Sequence, residues 1–192
     1  TGDLEELNLD SDLRITDGEV AGLSYQELTG RIRVVDSERV ILNQNLKIKD
    51  ENKLQAQGQI PLNSSEKFDL NLKLEEGYLS ILPLWLTDIK SAQGRGNADL
   101  RLLGTWGEPK VKGEIKVDSG FISYPALDRE ISDLSGQVKF MGQEMKFINI
   151  EGNYGEGKFG LRGGITLDGF LPKNYNLDFS GSDIAFEHGS WQ

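Results

Sequence analysis

The sequence predicts an antiparallel all-β protein, and three observations carry that prediction. Apolar residues recur two apart in short runs, as in Phe68-Asp69-Leu70-Asn71-Leu72-Lys73-Leu74, so that one side of an extended segment is apolar and the other polar. Turn-forming residues separate these runs at intervals of roughly 8 to 12 residues, the rhythm of a β-meander. Hydrophobic residues make up 37% of the chain and aromatics 8%, too little for a thick two-sided core and enough for sheets with one apolar face.

Taken in order, the apolar pairs are Leu13/Ile15, Ile32/Val34, Leu46/Ile48, Leu54/Ala56, then Leu70, Leu72 and Leu74, followed by Leu100/Leu102, Ile115/Val117 and Val138/Phe140. Phe159/Leu161, Ile165/Leu167, Leu177/Phe179 and Ile184/Phe186 complete the series. Between them stand the expected turns: Asp17-Gly18, Asp50-Glu51-Asn52, Asn63-Ser64-Ser65, Gly142, Gly155-Glu156-Gly157, Asp168-Gly169 and Lys173-Asn174. The stretch from Gly104 to Tyr124 shows the logic most plainly. Two glycines and Pro109 within Gly104–Pro109 form a turn, Val111, Gly113, Ile115 and Val117 alternate with charged residues, and Asp118-Ser119-Gly120 is expected to break the chain again before Phe121. Only residues 79–89 depart from period two. Tyr78, Leu82, Trp85, Leu86 and Ile89 fall at helical spacing, which predicts one short helix covering or plugging an end of the sheet.

An internal repeat is visible. Leu13–Val20 aligns with Ile115–Ile122 at an offset of 102, Leu28–Val34 with Leu134–Phe140 at 106, and Gly58–Ile60 with Gly163–Ile165 at 105. The reading is one sheet unit occurring twice, over about residues 13–75 and 115–186, within a single segment spanning 1–192. No run approaches the ~20 apolar residues of a membrane helix. Because the chain starts and stops in mid-pattern, it is expected to be a piece of a longer protein, and its end strands to be open to strand continuation with neighbouring repeats.

Composition narrows function. Thirty-one acidic against 21 basic residues give a formal charge of -10, which repels phosphates and argues against nucleic-acid binding. The absence of cysteine removes disulfides, thiolate metal sites and a Cys nucleophile. Gly152 to Lys158 has the spacing of a phosphate-binding loop, and Gly155, Gly157 and Gly160 that of a dinucleotide fingerprint. Phe159 stands where the first motif needs Ser or Thr, and a strand pattern follows where both need a helix, so these glycines read as a hairpin turn. His188, near Asp183 and Glu187, is a single histidine without further ligands at metal spacing. No cluster of His, Ser and acid supports catalysis, and three scattered tryptophans do not support a lectin, so the expectation is a protein with no catalytic residues, no metal and no cofactor.

What remains is the apolar face, which a closed barrel, a two-sheet sandwich or a curled trough would each hide; periodicity does not separate them. The glycine-bounded turn G-x-x-x-x-P at Gly104–Pro109, the strand Gly113-Glu114-Ile115-Lys116-Val117 and the turn Asp118-Ser119-Gly120 resemble the TamB family of diderm bacteria, related to the AsmA-like group. The resemblance is carried mainly by Gly94 to Phe140. It implies a periplasmic, U-shaped β-groove (a β-taco) in a protein anchored in the inner membrane, with barrel or sandwich as the alternative. By the same resemblance the groove shields phospholipid acyl chains in bridge-like lipid transport between inner and outer membrane. It also implies an Omp85-class, TamA-like outer-membrane partner in a translocation and assembly module supporting outer-membrane biogenesis and protein secretion. The alternative is a scaffold β-domain without ligand. The groove-lining candidates are Leu70, Leu72, Leu74, Ile115, Val117, Val138, Phe140, Phe159, Leu161, Ile165 and Leu167.

Overall fold

The computed structural model describes residues 7–20, 23–48, 53–78, 91–125 and 127–185. Among these, eleven strands form one antiparallel sheet whose spatial order is the chain order: β1 Leu9–Val20, β2 Leu23–Val35, β3 Arg39–Lys47, β4 Lys53–Pro61, β5 Phe68–Tyr78, β6 Ser91–Gly104, β7 Pro109–Ser123, β8 Ile131–Gly142, β9 Glu144–Tyr154, β10 Gly157–Asp168 and β11 Leu171–Ser182. β1 and β11 each pair on one side only, so the sheet is open rather than a closed barrel. The helix expected over 79–89 lies outside the described residues, as do Phe186 and His188.

Three expected turns fall inside strands, two of them as bulges. Asp17 takes φ 56° within β1, while the register with β2 is unchanged from Thr16↔Glu27 to Gly18↔Tyr25. β7 runs straight through Asp118-Ser119-Gly120: Arg95 pairs with Ser119 and Gly96 with Val117, leaving Asp118 as the extra residue. Likewise the last hairpin turns at Gly169-Phe170, and Lys173 is the residue skipped between Asn174↔Thr166 and Pro172↔Leu167. The physical reason is shared chemistry, since Asp, Asn and Gly tolerate the left-handed or irregular backbone that both a turn and a bulge demand. β11 stops at Ser182, so Ile184 lies beyond the last strand. Gly155-Glu156 forms the β9–β10 hairpin turn, as the strand pattern after the phosphate-loop spacing predicts.

The sheet curls about its apolar face. On a flat sheet, β7 and β10 would lie three spacings, about 14 Å, apart. Yet a methyl group added at Gly169, in the turn after β10, would stand 3.7 Å from Cγ of Pro109 at the start of β7. Pro109 and its neighbours Val111 and Leu167 are buried at this end. Bulges and strand-interior glycines are the devices that let strands bend this way. Gly113, at φ 122°, is the clearest case: a Cβ there would come within 2.0 Å of the Asp99 carbonyl oxygen on β6, so only glycine allows the approach.

Candidate functional site

Residues directly opposite in neighbouring strands share a face, so the register can be followed across the whole sheet. Starting at Ile15, successive partners are Leu28, Leu46, Leu54, Leu74, Ala98, Ile115, Val138, Phe147, Gly163 and Leu177. One strand position away on the same face runs a second row: Leu13, Gly30, Gln44, Ala56, Leu72, Leu100, Gly113, Phe140, Met145, Ile165 and Tyr175. A third passes through Ile32, Leu42, Gly58, Leu70, Leu102 and Val111. Two rows are thus unbroken over eleven strands, and ten strand spacings make each about 48 Å long.

All eleven candidates lie on this face. Leu74, Ile115 and Val138 stand in the first row, Leu72, Phe140 and Ile165 in the second, and Leu70 in the third. Val117 pairs with Gly96 and Gly136, and Phe159, Leu161 and Leu167 alternate with Gly163 and Ile165 along β10. Leu74, Ile165 and Leu167 are buried and the other eight half-buried. The candidates did not include the members contributed by β1, β2, β3, β4, β6, β9 and β11, among them Leu46 and Leu100. The period-two pairs Leu46/Ile48 and Leu54/Ala56 were the available signal; the missing information was register.

Burial along the face is uneven. It is deepest in the middle strands, at Phe68, Leu74, Ala92 and Leu100, where Leu100 is 2% exposed. A cluster of Tyr25, Leu46, Ile48 and Leu74, with Leu28, Leu54 and Ala98 against it, fills the β2–β6 region. Towards β11 the same rows come into the open. The one carboxamide in the two long rows is Gln44. Its Nε2 donates to the Arg31 carbonyl oxygen at 3.0 Å, while its buried Oε1 has no partner among the described residues. The side chain lies over Gly30, where a Cβ would be 2.8 Å from Oε1.

The opposite face is mostly polar, with one central row running through Arg14, Thr29, Asn45, Gln55, Lys73, Asp99, Glu114, Lys139 and Lys146 in successive strands. Arg31 grips Asp10 with two hydrogen bonds of 2.6 Å, and Arg101 grips Asp69 with bonds of 2.8 and 2.6 Å. These bonds to guanidinium hold both carboxyls below their ordinary range, against a weaker opposing effect of desolvation. Lys116 does the same for Glu114. Among the described residues no three His, Cys, Asp or Glu side chains group closely enough to hold a metal ion. No helix among them is long and apolar enough to cross a membrane.

An open, curled antiparallel meander with one continuous apolar face defines the class: a groove-forming β-sheet protein. A family profile, the TamB C-terminal domain, matches residues 42–150, more than half of the chain. The chain therefore belongs to the TamB family, which is associated with the cell envelope and with outer-membrane assembly or lipid transport. No curated relative and no solved structure is similar enough to match it.

Proposed function

We propose that this segment is a non-catalytic periplasmic groove that shields phospholipid acyl chains on their way between the inner and outer membranes. The reading is carried by one observation, the two apolar rows that run without a charged residue through all eleven strands. An acyl chain exposed to water costs about 0.8 kcal/mol per methylene, so a lipid with two chains needs cover along its whole path. Measured along the curled sheet each row is about 48 Å long, so this segment offers extended apolar cover to an acyl chain. The polar outer face stays in water, and an Omp85-class outer-membrane protein is the partner that would receive the cargo or use the same protein in assembly.

A second reading, a scaffold segment whose apolar face is simply filled, is favoured by the burial of Leu100 at 2% exposure. Photo-crosslinking separates the two. A photoreactive side chain at Leu161, half-buried in β10, should capture phospholipid in cells, whereas one at Arg162 on the outer face should not. Leu161→Arg should abolish transport in the full-length protein without unfolding it. Absence of any lipid adduct along the apolar rows, together with loss of folding in that variant, would leave the scaffold reading.

A further inference from the structure

Three successive hairpins at one end of the strands carry large apolar side chains into the open. Trp106 in the β6–β7 turn, Met141 before the β8–β9 turn, and Phe170 and Leu171 at the β10–β11 turn are between 48% and 72% exposed. The turns are neighbours in space: Gly169 stands against Pro109, and Leu167 donates its N–H to the Gln143 carbonyl at 2.7 Å. Met141 lies on the outer face, opposite Lys112, and Trp106 rests on the buried Phe68 at 5.1 Å.

Behind these tips the outer face is basic. Lys110, Lys112, Lys139 and Lys146 are exposed, and each lies within three residues of Pro109, Gly142 or Gln143, about 10 Å at most. Lys139 and Lys146 are direct cross-strand partners, a like-charge pairing that costs stability unless an anion lies between or above them. Among the described residues none of the four makes an ion pair. The nearby carboxylate of Glu114 is already bonded by Lys116 at 2.7 Å and by Gln137 at 2.6 Å. Over residues 103–116, 137–146 and 167–173, six lysines stand against four carboxylates, a balance of +2 in a chain of -10, so the remainder carries -12.

We infer that this end of the sheet is a docking surface for an anionic lipid bilayer, whatever the groove carries. Apolar side chains that enter the boundary between headgroups and acyl chains by about 5–10 Å, with lysines set just behind them at phosphate depth, are the two components of interfacial binding. Trp106 suits that boundary, and its indole N–H has no acceptor among the described residues. Charge complementarity selects an anionic surface: the lysines are attracted to it, and the acidic remainder is repelled and turns this end towards it. The tips stand on separate turns and enclose no groove, an arrangement that a deformable bilayer accepts without a matching relief.

The test is flotation of the 192-residue chain with phosphatidylcholine vesicles that contain or lack 30% phosphatidylglycerol. The parent should float with the anionic vesicles at low salt, and release as salt rises. Lys112→Gln, Lys139→Gln, Lys146→Gln together, and separately Phe170→Ser with Leu171→Ser, should each weaken partitioning at least about tenfold with an unchanged melting temperature. Leu161→Arg, on the apolar face, should float like the parent, which separates this surface from the groove. With Trp85→Phe and Trp191→Phe leaving Trp106 as the one indole, brominated lipid in the anionic vesicles should quench its emission. Equal flotation with neutral vesicles, parental binding by both variants, unquenched Trp106, or retention of poly-glutamate without flotation of vesicles would each overturn the assignment.

Discussion

Leu100 in β6 and Tyr175 in β11 belong to the same row of the same face, yet Leu100 is 2% exposed and Tyr175 63%. The neighbouring row shows the same contrast, with Leu74 at 4% and its terminal members Ile15 and Leu177 at 40% and 39%. Side-chain chemistry does not distinguish these positions, since each is apolar and points the same way. Strand neighbours do. A central strand is flanked on both sides, whereas β11 is flanked on one side only, and Phe179 stacks on Phe159 at 5.9 Å. Stability is therefore concentrated in the middle of the sheet, and the end strand keeps apolar surface available.

That contrast can be broken most forcefully with charge. Leu100→Asp should cost several kcal/mol, enough to unfold a marginal domain, because it buries an unpaired carboxylate. Leu177→Asp should leave the melting temperature almost unchanged; comparable losses at the two sites would refute the gradient. A milder pair sharpens it by volume, with Leu100→Ala expected to cost about 2–5 kcal/mol and Leu177→Ala less than about 1 kcal/mol by urea denaturation.

Backbone requirements should follow a similar division. Gly113→Ala forces a side chain onto a φ of 122° and into the Asp99 carbonyl, and a loss of about 1–3 kcal/mol is expected. Gly107→Ala, in the β6–β7 turn with no atom within 4 Å of the added methyl, should be nearly silent. The smallest effect belongs to the outer face. Asp69 is depressed by its hydrogen bonds to Arg101, so the pair's stabilisation is present above the ordinary Asp pKa of about 3.9 and is lost as pH falls through the lower folded value. Both side chains are substantially solvated, and a double-mutant cycle should give only a small coupling at neutral pH, shrinking in acid and in high salt. A larger coupling would mean that the polar face, and not only the apolar one, sets stability.

Much of this protein was legible in the sequence because a strand's side chains alternate with a period that composition reveals directly. Phe68 to Leu74, or Val111 to Val117, declares its apolar side without reference to any other strand. The eleven groove-lining candidates accordingly lie on one face. Local chemistry was less decisive where one residue type serves two geometries, as at Asp118 and Lys173, where bulges stand in place of expected turns. Register, curl and openness belong to the tertiary structure alone. They depend on which residues meet across strands, on Gly113 admitting the Asp99 carbonyl, and on Gly169 reaching Pro109 across three strand spacings. A periodic pattern specifies which way each side chain points, but the burial of Leu100 and the exposure of Tyr175 arise from neighbours distant in sequence, which no local pattern encodes.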